Sequence, residues 1–155
     1  MNRLSWDEYF GALVQVISMR SDDADTKVGA IIVDHKNRIV STGYNGTPRG
    51  TDLPKTRPDK YPYMVHAEEN AMLFAQGDLN RCRIYVLGMT PCNVCARMML
   101  QKGIEEVIVV NPVVREGGAN WNFTSTYEMF KQAKVGFREV RVPFVEIQRE
   151  INLDC

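Results

Sequence analysis

Two short motifs constrain this 155-residue chain more than anything else in it. His66-Ala67-Glu68 offers one imidazole and one carboxylate, and Pro91-Cys92-Asn93-Val94-Cys95 offers two thiols three residues apart. One imidazole and two thiolates are a ligand set for tetrahedral zinc. Three protein ligands leave the fourth position to water, the arrangement of a catalytic site. Residues two apart on a regular helix do not face each other, so His66 and Glu68 reach one metal only if His66 stands at a helix start, where the backbone is still turning in. Pro62 upstream and the run from Ala67 to Gln76 predict such a helix, with Gly77 near its end. Cys92 and Cys95 share a helix face, and Pro91 before them suits a second helix start. Two helix N-termini then converge on the metal, and their dipoles favour the ionised thiols.

At this length the chain reads as one domain over residues 1–155, long enough to bury a core. Hydrophobic residues make up 45% and charged residues 25%, a globular, soluble balance. Lys plus Arg and Asp plus Glu number 19 each, so the formal net charge is zero, which argues against gripping nucleic acid by bulk electrostatics. No apolar run is long enough for a membrane span, and Met1-Asn2-Arg3-Leu4 does not begin a signal peptide. Of the four cysteines, Cys82 and Cys155 fall outside the metal motif. Cys82 reads as a small core or loop-edge residue and Cys155 as a free thiol, so a reducing, cytoplasmic setting is the simplest one.

Taken in order, Leu4, Phe10, Leu13, Val14 and Ile17 keep helical period, and Ser5 with Glu8 makes a capping box, predicting a helix from about Trp6 to Met19. Val28 to Val33 and Arg38 to Gly43 read as strands joined by a turn at Asp34-His35-Lys36-Asn37. His35 in that polar turn receives no role. Tyr44 to Pro62 is a long loop rich in Pro and Gly. It leads directly into His66, and two readings stand: a segment that covers the metal, or a solvated connector. Arg83 to Leu87 and Glu106 to Val110 read as strands flanking the cysteine helix, which implies a parallel pair with a crossover. A helix over Phe123 to Lys134, a strand over Phe137 to Val140 and a terminal helix from Phe144 to Ile151 complete the pattern. The result is an α/β domain, a mixed sheet of about five strands with helices on both faces.

Zinc in such a site lowers the pKa of its bound water to about 7 and so supplies hydroxide. Glu68, if it is not a ligand, can take the water's proton and pass it on. The alternative is a closed structural site in which Glu68 is the fourth ligand or a salt-bridge partner. Asn45 lies in an Asn-Gly turn pair that needs no function, although its place after a strand also suits a hydrogen bond to a sugar. Lys27 is solvated charge by default and a phosphate ligand if the substrate is a nucleotide. Glu69, pointing away from its helical neighbours, reads as a surface or subunit-contact residue.

H-x-E followed by P-C-x-x-C is the known signature of zinc nucleobase deaminases. Further marks are Thr26 to Ala30 (T-K-V-G-A), Gly43 to Pro48 (G-Y-N-G-T-P), Lys60 to Ala71 (K-Y-P-Y-M-V-H-A-E-E-N-A) and Pro91 to Ala96. With these the chain resembles the deoxycytidylate (dCMP) deaminases of the zinc-dependent cytidine and deoxycytidylate deaminase family, from Trp6 to about Val140. The resemblance implies the three-layer cytidine deaminase-like fold and hydrolysis of dCMP to dUMP. It implies one zinc per chain on His66, Cys92 and Cys95, with Glu68 as proton shuttle. It further implies Asn45 on the deoxyribose, Lys27 on the phosphate and Ala67 among the substrate contacts. Members are commonly hexamers activated by dCTP and inhibited by dTTP with magnesium, and Gly43, Tyr44, Asn45 and Gly46 resemble their effector-binding loop. Arg97-Met98-Met99 departs from the small residues that follow the cysteine motif in related tRNA adenosine deaminases. A tRNA-editing enzyme would also need a basic surface. A non-catalytic zinc-stabilised module is the remaining alternative.

Overall fold

The structure is a computed structural model that describes residues 3–113 and 123–146. Strands β1 (Gly29–Val33), β2 (Ile39–Tyr44), β3 (Arg83–Leu87), β4 (Glu106–Val110) and β5 (Gly136–Val140) form one sheet in the order β2-β1-β3-β4-β5. β1 runs antiparallel to β2 and β3, whereas β3, β4 and β5 are parallel. Parallel neighbours need a crossover. Helix α3 (Asn93–Gln101) lies on the first and α4 (Thr124–Gln132) on the second. All five residues of β1 are buried because the sheet is covered on both faces. β2, at the edge, keeps the alternation of a half-buried strand, with Ser41 and Gly43 inward and Thr42 outward.

Alternate side chains of each strand serve opposite layers. On one face α1 (Trp6–Ser18) packs Phe10 and Val14 against Ile31, Val33, Tyr85, Ile108 and Val110. On the other, α2 (Ala67–Phe74), α3 and α4 bring Ala67, Ala71, Cys95, Ala96, Met99 and Phe130 onto Ala30, Ile32, Ile84, Val86 and Val107. This is the expected three-layer architecture. The expected capping box closes α1: Glu8 N–H donates to Ser5 Oγ at 3.2 Å, and Ser5 N–H to Glu8 Oε2 at 2.7 Å. Cys82 is buried in the core layer beneath α2 and α3.

Two elements differ from expectation. α2 stops at Phe74 with Ala75 already extended, short of Gly77, which sits at φ +97° in the following turn. The expected terminal helix is not present over Pro143–Glu146, and its remainder lies outside the described residues. The Gln15 side chain, on α1, donates to the Pro143 carbonyl at 2.9 Å and accepts from Val145 N–H at 3.0 Å. The Pro143 carbonyl, which a helix would pair internally, is thereby satisfied from α1. Most of the 111–120 loop also lies outside the described residues, as does Cys155.

Candidate metal centre and active site

His66 is delivered to its place by a one-rung antiparallel bridge. Gly46 N–H donates to the Val65 carbonyl at 3.1 Å and Val65 N–H returns to Gly46 at 2.9 Å. The bridge pins both ends of the 47–64 loop one residue before His66. His66 then occupies the N-cap of α2 in extended conformation (φ −73°, ψ 156°), and its carbonyl accepts from Asn70 N–H at 2.9 Å. Cys92 occupies the N-cap of α3 in the same conformation (φ −68°, ψ 166°), its sulfur accepting from Cys95 N–H at 3.5 Å. Both motifs therefore stand at helix starts, where several N–H groups lack intrahelical partners and the dipole favours negative charge.

The sulfurs of Cys92 and Cys95 lie 3.5 and 3.4 Å from His66 Nδ1, and the three ligand atoms lie within 4.8 Å of one another. Ligands about 2.3 and 2.0 Å from a tetrahedral zinc stand about 3.5 Å apart. The trio is spaced for that ion, and one nitrogen with two sulfurs is a donor set that suits it. Glu68 is not part of this trio; its carboxylate is buried on the first turn of α2.

The three groups hold protons unequally. Hydrogen bonds from Cys95 and His66 pull the Cys92 thiol down to about 4 despite its burial. The bond to Cys92 lifts His66 to about 9 against the opposing effect of burial. The hydrogen bond to Cys92 and burial push the Cys95 thiol up. At pH 7 the chelator-stripped trio thus carries an imidazolium, one thiolate and one thiol. Binding needs a neutral imidazole and two thiolates, so zinc loading at pH 7 is expected to release about two protons, and affinity should rise with pH, more steeply below about 9, where His66 still holds its proton, than above it. An indicator dye in weak buffer measures this, and release below one proton contradicts the scheme. Burial raises the Glu68 pKa as well, opposed by the charge on His66.

A cavity of about 430 Å³ opens beside the trio, within the size range of small-molecule sites. His66, Ala67, Glu68 and Cys92 line it, with Met89 and Thr90 from the β3–α3 connection. Asp23, Thr26, Asn45, Arg57 and Lys60 line it as well. Of the residues singled out from sequence, Ala67, Asn45 and the motif residues His66, Glu68 and Cys92 line this cavity. Lys27 does not: it is exposed and its ammonium donates to the Ser21 carbonyl. Gly43 lies beneath α2, the Tyr44 carbonyl accepts from Asn70 Nδ2 at 2.8 Å, and Gly46 faces Asp22.

Sequence reasoning passed over Asp23, Arg57 and Lys60. The signal was charge complementarity: Asp22, Asp23 and Asp25 precede β1, while Lys55, Arg57 and Lys60 fill the long loop. The structure joins the two segments. Ala24 N–H donates to the Lys55 carbonyl, Arg57 N–H to Asp25 at 2.9 Å and Arg57 Nη2 to Thr26 at 2.7 Å, and Lys60 pairs with Asp23 and Asp25.

The model of the cytidine and deoxycytidylate deaminase zinc-binding region matches residues 4–111. The chain is 38% identical over 154 residues to deoxycytidylate deaminase of Mus musculus, covering 93% of this chain and 84% of that one. It is 38% identical over 146 residues to the Homo sapiens enzyme, covering 88% and 80%. Among solved structures, the dCMP deaminase of cyanophage S-TIM5 in complex with dCMP and dUMP shares the fold, with a TM-score of 0.71 at 23% identity over 90% of this chain and all of that one. A zinc-spaced His/Cys/Cys trio, a buried carboxylate on the first turn of α2 and a family match over two-thirds of the sequence agree: this chain belongs to the cytidine and deoxycytidylate deaminase family of zinc-dependent hydrolytic deaminases.

Proposed function

We propose that the chain hydrolyses dCMP to dUMP and ammonia. The observation that carries this reading is the buried Glu68 carboxylate in a nucleotide-sized cavity beside the trio, in a chain 38% identical to deoxycytidylate deaminases. His66, Cys92 and Cys95 would hold one zinc. Zinc bound there would lower the pKa of a water ligand to about 7. Glu68 would take one proton from the attacking water and give it to the ring nitrogen, then take a second from the hydroxyl now on the ring carbon and give it to the amino group, which leaves as ammonia. The Ala67 N–H, at the start of α2, is a donor for the pyrimidine carbonyl. Burial of Ala67 and Glu68 keeps bulk water from competing for these contacts.

Asn45 serves the deoxyribose. Its amide already donates to Asp23 Oδ2 and the Thr26 carbonyl and accepts from Val28 N–H. A side-chain amide makes at most four hydrogen bonds, so one Oδ1 lone pair is left for the sugar's only free hydroxyl, at the 3′ position. For the 5′-phosphate, Arg57 is better situated than Lys27, since Arg57 lines the cavity and remains partly exposed. Regulation by dCTP and by dTTP with magnesium through Gly43 to Gly46, and a hexamer, are the further parts of this proposal, carried over from the resemblance to the deoxycytidylate deaminases. Subunit contact suits the surface there: Asn70 bonds the exposed Tyr44, and one turn later α2 ends in the exposed Leu73 and Phe74. Among the described residues no helix is long and apolar enough to cross a membrane, and two thiolate ligands favour a reducing, cytoplasmic setting.

Ammonia release from dCMP, CMP and deoxycytidine, each with and without dCTP or dTTP, tests the reading. Turnover of dCMP above the other two, raised by dCTP and lowered by dTTP, is the expected result. No turnover of any of the three overturns the proposal.

A further inference from the structure

The cavity wall also contains an ion pair that the chemistry above does not use. Lys60 and Asp23 are 3% and 4% exposed, and Lys60 reaches a second carboxylate, Asp25, at 3.1 Å. A pair this deep gives back in attraction little more than its desolvation costs, so stability alone is a weak reason for it. Orientation is a better one. Asp23 Oδ1 accepts from Asp25 N–H at 2.8 Å, Thr26 N–H at 2.9 Å and Lys60, and Oδ2 accepts from Asn45 Nδ2 at 3.1 Å.

These bonds settle which way the Asn45 amide points. Reversing it would set its NH2 against Val28 N–H and its oxygen against the Asp23 carboxylate and the Thr26 carbonyl. We infer that Asp23 and Lys60 form a positioning unit for the sugar pocket, holding Asn45 so that its last acceptor site meets the 3′-hydroxyl of the substrate. Lys60 also ties the wall together: it neutralises Asp23 and joins the long loop to the turn before β1. The inference rests on the dCMP reading above.

Asp23→Asn tests it with little change of shape. Three donors converge on Oδ1, so the variant's amide oxygen must stay there, and its NH2 is left facing the NH2 of Asn45. Two donors then oppose each other and Asn45 must turn or withdraw. The assay compares dCMP with 2′,3′-dideoxycytidine 5′-monophosphate, which lacks the hydroxyl, with zinc content measured throughout. Wild-type protein is expected to prefer dCMP by at least about tenfold in kcat/KM. In Asp23→Asn the KM for dCMP should rise about tenfold with kcat within about threefold, and the preference should fall towards one. Lys60→Gln keeps the acceptors of Asp23 but removes the charge that holds them, so its preference should fall in the same direction. It carries the test if Asp23→Asn does not fold.

A merely structural role would slow both substrates equally. Wild-type protein that turns over dCMP while both variants keep its preference overturns the inference alone, as does wild-type protein that does not distinguish the two substrates. Wild-type protein without dCMP turnover overturns the substrate reading and this inference with it.

Discussion

Glu68→Gln is expected to lower kcat for deamination by about 10³-fold or more while zinc content stays at the wild-type level, the upper part of the range for losing a general acid/base. The two side chains have the same shape, so the packing around α2 survives, but an amide cannot take a proton and give it back. The trio of close ligand atoms is complete without Glu68, which is why the metal should remain. Stability gives an independent check. Burial raises the Glu68 pKa, so in chelator-stripped protein the folded state binds this proton more tightly than the unfolded state does. Folding therefore loses stability as pH rises above the ordinary carboxylate value, and the neutral Gln escapes that loss. Stripped Glu68→Gln should have a Tm at or above wild type at pH 7. If zinc is lost together with activity, Glu68 is a ligand and the site is structural.

The metal motif was legible because its chemistry is local. His66 and Glu68 cannot share a metal from within a helix, so His66 had to be an N-cap, and it is. Cys92 and Cys95 were read from a different signal, a spacing of three on one helix face behind Pro91; the helix start is there, with Cys92 at its N-cap rather than within it. The apolar runs of β1, β3 and β4 and the Ser5–Glu8 box likewise carry their signals within a few residues. The Asp23–Lys60 part of the cavity wall was not legible, because the two residues meet across 37 residues of sequence with no periodic pattern between them. The same contacts recast the long loop. Read from composition it was equally a cover or a connector; in the structure its 55–60 stretch is tied to residues 22–26 and forms part of the cavity wall. Residues 143–146 depart from the expected terminal helix for a similar reason. Pro143 looked like a helix start, but Gln15, far away in sequence, binds the Pro143 carbonyl and the Val145 N–H, and the backbone there is not helical.

Gly43→Ala carries the second large expected effect, and it separates two accounts of one residue. A Cβ at Gly43 would lie 2.3 Å from the Ala67 carbonyl oxygen, 2.4 Å from Ala71 N and 2.9 Å from Ala71 Cα. All three are backbone atoms and none can rotate away. β2 cannot retreat either, because Gly43 is paired with Ala30 on β1, so α2 must move. Overpacking of this kind costs about 3 kcal/mol, the upper part of its usual range. For a domain of this size that is a Tm lower by roughly 6–12 °C. Ala67 lies between His66 and Glu68, so the displaced helix carries one ligand and the proton shuttle away from the cysteines on α3. A displacement of about 1 Å is expected to lower kcat about 100-fold. Gly50→Ala is the control, since its Cβ would meet nothing within 4 Å and only the φ of +78° opposes it. Its expected loss is about 1 kcal/mol, without effect on turnover. The opposite pattern is equally readable. If Gly43→Ala keeps wild-type Tm and kcat and loses only its response to dCTP, Gly43 belongs to an effector site, and the close approach of α2 to β2 is not what requires a glycine there.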